Sequence, residues 1–177
     1  MKVLTLTPER FTEACRGLER MIPPRPDIVL GIASGGVYVA DEMFSGLPHA
    51  QVVCRRPSTL RKERHSRVTA MLRHMPIWMC DVLRRIEAHM LAGRERAVPT
   101  VEVPRSVIDA KTILVVDDAV DSGATMQAVV GAVKKANPAA HVVTAAIVVT
   151  TGTPAMRPDF HLYDNVLIRF PWAHDYR

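Results

Sequence analysis

The chain has 177 residues, of which 48% are apolar and 23% charged, with a formal net charge of +5. That length and mix suit one domain with a full core and exclude a disordered tail or a small disulfide scaffold. Cys15, Cys54 and Cys80 are odd in number and widely spaced, and form no zinc pattern. No apolar run reaches the roughly 18 residues of a membrane span. With no apolar signal core at the start, the chain reads as cytoplasmic, with free thiols and no membrane.

In chain order, "TPERFTEACRGLERMI" predicts a helix capped by Thr7, with Pro8 in its first turn and Phe11, Cys15, Leu18 and Ile22 on one face. "DIVLGIA" (27–33) predicts a buried strand, followed by Ser34-Gly35-Gly36 and a helix over 37–44. "AQVVCR" (50–55) is a second strand, leading into "CRRPSTLRKERHSR", which carries six basic residues and no aromatic. That segment lacks the stacking residues of a single-strand nucleic-acid platform and is either a solvated charged face or an anion site. Residues 76–93 predict a helix, with Ile77, Cys80, Leu83, Ile86 and Met90 on one stripe.

A strand over 111–118 is expected to end on Asp117-Asp118. A helix from Ala124 then runs to Asn137-Pro138, and strands follow at 141–149 and 165–170. Strands that read as continuous Val/Ile runs and alternate with helices argue for a mostly parallel α/β sheet covered on both faces. No linker divides the chain, so residues 1–177 are expected to form a single domain. Residues 56–100 would be a mobile loop plus a helical insertion.

"ILVVDDAVDSGAT" (113–125) carries the chemistry. A helix starting near Ser122–Thr125 leaves backbone N–H groups for an anion, and Gly123 allows close approach. Like charge keeps Asp117 and Asp118 off a phosphate; they suit vicinal sugar hydroxyls or a ligand-borne cation. The same string also reads as an Asp-Asp turn and an N-cap. No GxxxxGK[ST] or GxGxxG is present.

The stretch resembles the signature of the type I phosphoribosyltransferases, which bind 5-phosphoribosyl-1-pyrophosphate. The resemblance implies a three-layer, doubly wound, mostly parallel sheet, often with an antiparallel edge strand, under a small helical hood. Asp117 and Asp118 would hold the ribose hydroxyls, and Asp121, Ser122, Gly123, Ala124 and Thr125 the 5′-phosphate. Ser34, Gly35 and Gly36 match the pyrophosphate loop, which commonly has a strained peptide before its glycines. Ser34 stands where purine-salvage members often carry Lys or Arg, a charge that Arg55 and Arg56 would restore.

Mg²⁺ is implied, chelated mainly by substrate oxygens, with Asp117 and Asp118 acting on it indirectly. Asp121 is the implied catalytic residue, reaching the heterocycle nitrogen beside the reaction centre; its alternative role is a helix cap. Thr150 and Thr151 stand where purine-salvage relatives place a Lys. The "PW" near the C-terminus resembles xanthine-guanine relatives and implies a base pocket of Leu167, Ile168, Phe170 and Trp172, residues that equally suit a core strand.

The expected function is phosphoribosyl transfer between the sugar pyrophosphate and a purine-like nitrogen heterocycle, in either direction. A homodimer is expected, and no DNA partner. The alternative is a non-catalytic regulator that senses phosphoribosyl pyrophosphate and binds RNA.

Overall fold

The computed structural model describes residues 2–23, 25–55, 100–173 and 176. The basic segment from Arg56 onward and the predicted helix over 76–93 lie outside the described residues.

The order is β1 (Lys2–Thr5), α1 (Pro8–Met21), β2 (Ile28–Ile32), α2 (Gly35–Glu42), β3 (His49–Arg55) and β4 (Thr100–Glu102). A 3₁₀ turn (Arg105–Val107), β5 (Thr112–Val120), α3 (Ala124–Ala136), β6 (His141–Val149), β7 (Phe160–Asp164) and β8 (Val166–Arg169) complete it. Six strands form one sheet in the order β4-β3-β2-β5-β6-β7, parallel except for the β3–β4 edge pair. This is the doubly wound, mostly parallel sheet with an antiparallel edge strand that the resemblance implies.

The two faces of the sheet are separated by the pleat. Val29, Leu114 and Val116 pack with Phe11, Cys15 and Leu18 of α1 and with Val39 and Ala40 of α2. Ile28, Leu30, Ile113 and Val115 pack with Met126, Val129 and Val133 of α3. Each such side chain contributes about 1.5–3 kcal/mol on burial, so Leu18→Ala is among the simplest ways to loosen the first layer. Thr7 caps α1 as expected, accepting a hydrogen bond from the Arg10 N–H at 3.3 Å.

Three features depart from the sequence expectations. β5 continues through Asp117-Asp118 to Val120, because β6 keeps pairing with it as far as Val120↔Val149. β7 was not expected. It is tied to β6 by the Asp159 carboxylate, which accepts hydrogen bonds from the Thr144 N–H (2.8 Å) and hydroxyl (2.7 Å). The last strand, β8, leaves the main sheet and pairs in parallel with β1, also unexpected, in a separate two-stranded ladder.

Candidate functional site

Strand β2 has β3 on one side and β5 on the other, so the chain reverses its direction of winding between β2 and β5. In open parallel sheets such a switch point opens a crevice beyond the carboxyl ends of the strands. A cavity of about 350 Å³ lies there. Ser34 and Gly35 line it from the end of β2; Asp117, Asp118, Asp121, Ser122, Gly123 and Thr125 line it from β5 and the start of α3; Trp172 lines it from the C-terminal segment. Two loops some 80 positions apart thus meet at one hole, because their strands are hydrogen-bonded neighbours.

The β2 loop sits tightly against β5. The Ala33–Ser34 peptide is cis, and α2 begins directly at Gly35, two residues earlier than expected, with no side-chain cap at Ser34. A Cβ on Gly35 would fall within the Asp118 carboxylate, and one on Gly36 would lie 2.5 Å from the Val116 carbonyl oxygen. The Gly-Gly pair is therefore what allows this backbone to reach the aspartates. Gly36 is buried beneath the cavity rather than on its wall.

Both aspartates hold their own strand end. Asp117 Oδ1 accepts the Asp118 N–H at 2.9 Å, and Asp118 Oδ1 accepts the Ala119 N–H at 3.0 Å. Removal of Asp118 from water pushes its carboxyl above the ordinary carboxylate range, opposed by its hydrogen bonds with Asp117 and the local backbone. The site thus disfavours a second bare negative charge and suits a ligand that brings hydroxyls or a cation.

Helix α3 starts without a side-chain cap. Gly123 stands at its N-cap with φ +75°, and a Cβ there would collide with the Met156 backbone. Its buried position allows no other residue without rearrangement. Ala124 opens the helix, with the Ser122 hydroxyl 3.5 Å from its N–H. Asp121 is not the cap. Its Oδ1 accepts the Thr150 hydroxyl at 2.8 Å, and its carbonyl oxygen accepts the Thr151 hydroxyl at 2.8 Å.

The candidate base residues divide. Ile168 and Phe170 are buried in the α1–α2 layer, the ordinary core role, and Leu167 is half-buried on the opposite face of β8. Trp172 reaches the cavity, its ring stacked with Tyr38 (4.5 Å) and Phe170 (4.8 Å) and met edge-on by Phe11 (5.0 Å). Arg157 is exposed and pairs with Asp164 and His161. Arg55 ends β3; Arg56 lies outside the described residues.

The sequence reading missed two contributions: the hold of Thr150 and Thr151 on Asp121, and the stacking of Tyr38 with Trp172. The first was hidden because its register depends on β5–β6 pairing, the second because α2 and the C-terminal segment are far apart in the chain. Among the described residues no group of three or more His, Cys, Asp or Glu side chains is arranged to hold a metal alone. No helix among them is long and apolar enough to cross a membrane.

The fold is doubly wound, and its glycine-lined crevice with paired acids opens at the switch point of the sheet. A family model described as a phosphoribosyl transferase domain matches residues 10–176, and the chain belongs to that family and is a phosphoribosyltransferase. No curated protein sequence matches it.

Its fold is similar to that of a purine phosphoribosyltransferase from Pyrococcus horikoshii (20% identity, TM-score 0.65, covering 98% of this chain and 95% of that one). It is also similar to a Helicobacter pylori xanthine-guanine-hypoxanthine phosphoribosyltransferase (18%, TM-score 0.66, 96% and 93%). A hypothetical protein from Neisseria gonorrhoeae with bound ppGpp is a third neighbour (16%, TM-score 0.59, 97% and 89%).

Proposed function

We propose that the protein is a Mg²⁺-dependent enzyme that exchanges pyrophosphate and a purine-like nitrogen heterocycle at the anomeric carbon of phosphoribosyl pyrophosphate. The observation that carries this is that Ser34, Gly35, Asp117, Asp118, Asp121, Gly123, Thr125 and Trp172 border one and the same cavity. The purine and xanthine-guanine names of the structural neighbours support the choice of heterocycle.

In this reading the uncapped start of α3, with Ser122, Gly123, Ala124 and Thr125, binds the 5′-phosphate through backbone N–H groups and hydroxyls. Asp117 and Asp118 accept hydrogen bonds from the ribose hydroxyls, and Ser34, Gly35 and Gly36, with Arg55 and Arg56, hold the pyrophosphate. The heterocycle nitrogen attacks C1′ as the bond from C1′ to the pyrophosphate oxygen breaks, and the leaving pyrophosphate takes the electron pair. Positive charge develops on the ribose ring, as in glycoside hydrolysis. Asp121 accepts the ring N–H proton of the heterocycle, and the reverse path is nucleotide pyrophosphorolysis.

The carboxylates present fit a cation that arrives with the substrate rather than one held by protein ligands alone. When bound, Mg²⁺ supplies charge neutralisation on the pyrophosphate. Trp172 gives the heterocycle an apolar wall, backed by the buried ring of Phe170, while Leu167 and Ile168 stay outside the cavity lining. The protein works in the cytoplasm as a homodimer formed from one domain per chain, in nucleotide metabolism, with no DNA or membrane partner.

Calorimetric titration with phosphoribosyl pyrophosphate and Mg²⁺ tests the reading. Wild type is expected to bind, and Asp117→Asn/Asp118→Asn to lose binding, with turnover then found in a panel of purines. ppGpp, named with the Neisseria gonorrhoeae neighbour, belongs in the titration as a competitor. Wild-type protein that binds neither the sugar pyrophosphate nor a nucleotide with pyrophosphate would falsify it.

A further inference from the structure

At the mouth of β6 two consecutive threonines turn toward the same residue. Thr150 is 8% exposed, and its backbone N–H bonds to the Val120 carbonyl at 2.9 Å, extending the β5–β6 ladder by one step. Its hydroxyl has two acceptors in reach: Asp121 Oδ1 at 2.8 Å and the Val120 carbonyl at 3.4 Å. One hydroxyl carries one proton, and the shorter, charge-assisted contact takes it. The Thr151 hydroxyl donates to the Asp121 carbonyl oxygen at 2.8 Å. One threonine therefore ties the backbone of Asp121 and the other anchors one oxygen of its carboxylate.

We propose that Thr150 is a positioning residue that holds the Asp121 carboxylate as a fixed hydrogen-bond acceptor for the ring N–H of the incoming heterocycle. This rests on the phosphoribosyltransferase reading of the cavity, in which Asp121 faces the acceptor. An ionised carboxylate is acceptor-only. Rotation of this one would break the bond to Oδ1 and leave a buried hydroxyl with a longer, weaker partner. The carboxylate is thus kept in one orientation before substrate arrives, and no orientational freedom has to be lost in the transition state.

The arrangement also occupies both hydroxyls at the end of β6. Arg157, the first basic residue beyond them, is paired with Asp164. The threonine hydroxyls are therefore directed at Asp121, and the Arg157 guanidinium at Asp164 and His161. Selectivity in this region comes from the N–H that Asp121 accepts.

The test uses the full-length protein with phosphoribosyl pyrophosphate, Mg²⁺ and a purine found to turn over, paired with its 7-deaza analogue. Thr150→Val removes the hydroxyl at constant shape, and Thr150→Ser keeps it. Thr150→Val is expected to lower kcat between about ten- and a hundredfold, to leave the donor Kd within twofold, and to cut the preference for the purine over its 7-deaza analogue toward that of Asp121→Asn. Thr150→Ser is expected to restore both, and the Thr150→Val/Asp121→Asn double variant to be no worse than Asp121→Asn alone.

A Thr150→Val protein with wild-type kcat and selectivity overturns the proposal. So does one that loses donor binding together with kcat, or a Thr150→Val and Thr150→Ala pair that both fail to fold, since each assigns Thr150 a purely structural role. A wild type that neither binds the donor nor turns over any heterocycle overturns the functional reading itself, and is told apart by being seen before any variant is made.

Discussion

The two halves of the cavity are built differently. The half proposed for the donor comes from two short loops, each continuous in sequence and built largely of backbone features: glycines at close approach, a helix start, and aspartates that also brace their own strand. The half proposed for the acceptor is reached by Trp172 from the C-terminal segment and by Asp121, whose carboxylate is held from behind by Thr150 at the end of β6, so its contacts run largely between side chains. A backbone-built site tolerates few substitutions and shows itself as a motif. A side-chain-built site can change its ligand without changing the fold.

The sharpest way to break this contrast is at the donor half. Asp117→Asn/Asp118→Asn is expected to weaken phosphoribosyl pyrophosphate binding by a hundredfold or more, about 3 kcal/mol for two charge-assisted contacts, as read by calorimetry. Gly123→Ala forces a Cβ into a left-handed position and onto Met156. It should destabilise the protein by roughly 1–3 kcal/mol in denaturant unfolding and weaken donor binding as well.

Trp172→Ala addresses the other half. It should raise KM for the heterocycle about tenfold, in line with the loss of one aromatic contact, while the donor Kd stays within twofold. A matching loss of donor binding would mean that the two halves are not separable.

Asp118→Asn alone gives a smaller effect with a definite sign. Burial raises the folded-state pKa of Asp118 above its unfolded value, so ionising it costs folding stability as pH rises through that interval, and the cost is complete above it. The variant should therefore melt above wild type at pH 7 in a calorimetric scan. The gap should close near pH 3, below the unfolded pKa of about 3.9, while donor affinity falls at neutral pH. The smallest effect belongs to Arg157→Ala: with its guanidinium committed to Asp164, kcat/KM should change by less than about twofold.

The two loops that meet at the cavity were legible in the sequence, since "ILVVDDAVDSGAT" and Ser34-Gly35-Gly36 each lie within one loop and only their meeting needed the sheet. The layers were legible too, from apolar runs at strand and helix periods. What escaped depends on partners. β7 reads as "FHLYD", a mixed polar stretch that becomes a strand because Asp159 fastens its entry to Thr144. The continuation of β5 beyond Asp118 is set by the length of β6, not by its own composition. Ile168 and Phe170 suited a pocket wall and a core equally well, and only the departure of β8 from the main sheet decides for the core. Thr150 and Thr151 were noticed as standing where relatives carry a Lys, but their target lies across a strand pair.

The ladder between β1 and β8 also bears on synthesis. Its contacts, such as Arg169 Nη1 to the Thr5 hydroxyl at 2.9 Å, join positions 164 residues apart. Such a closure carries a loop entropy that the neighbouring β2–β5 pairing does not, and it waits on a segment made well after both of those strands. Strands β2 and β5 and the two donor loops can be in place while this ladder is still open. In order of synthesis, the loops proposed to grip the sugar phosphate therefore precede the wall with Trp172, and the proposed heterocycle side of the cavity is completed later than the donor side.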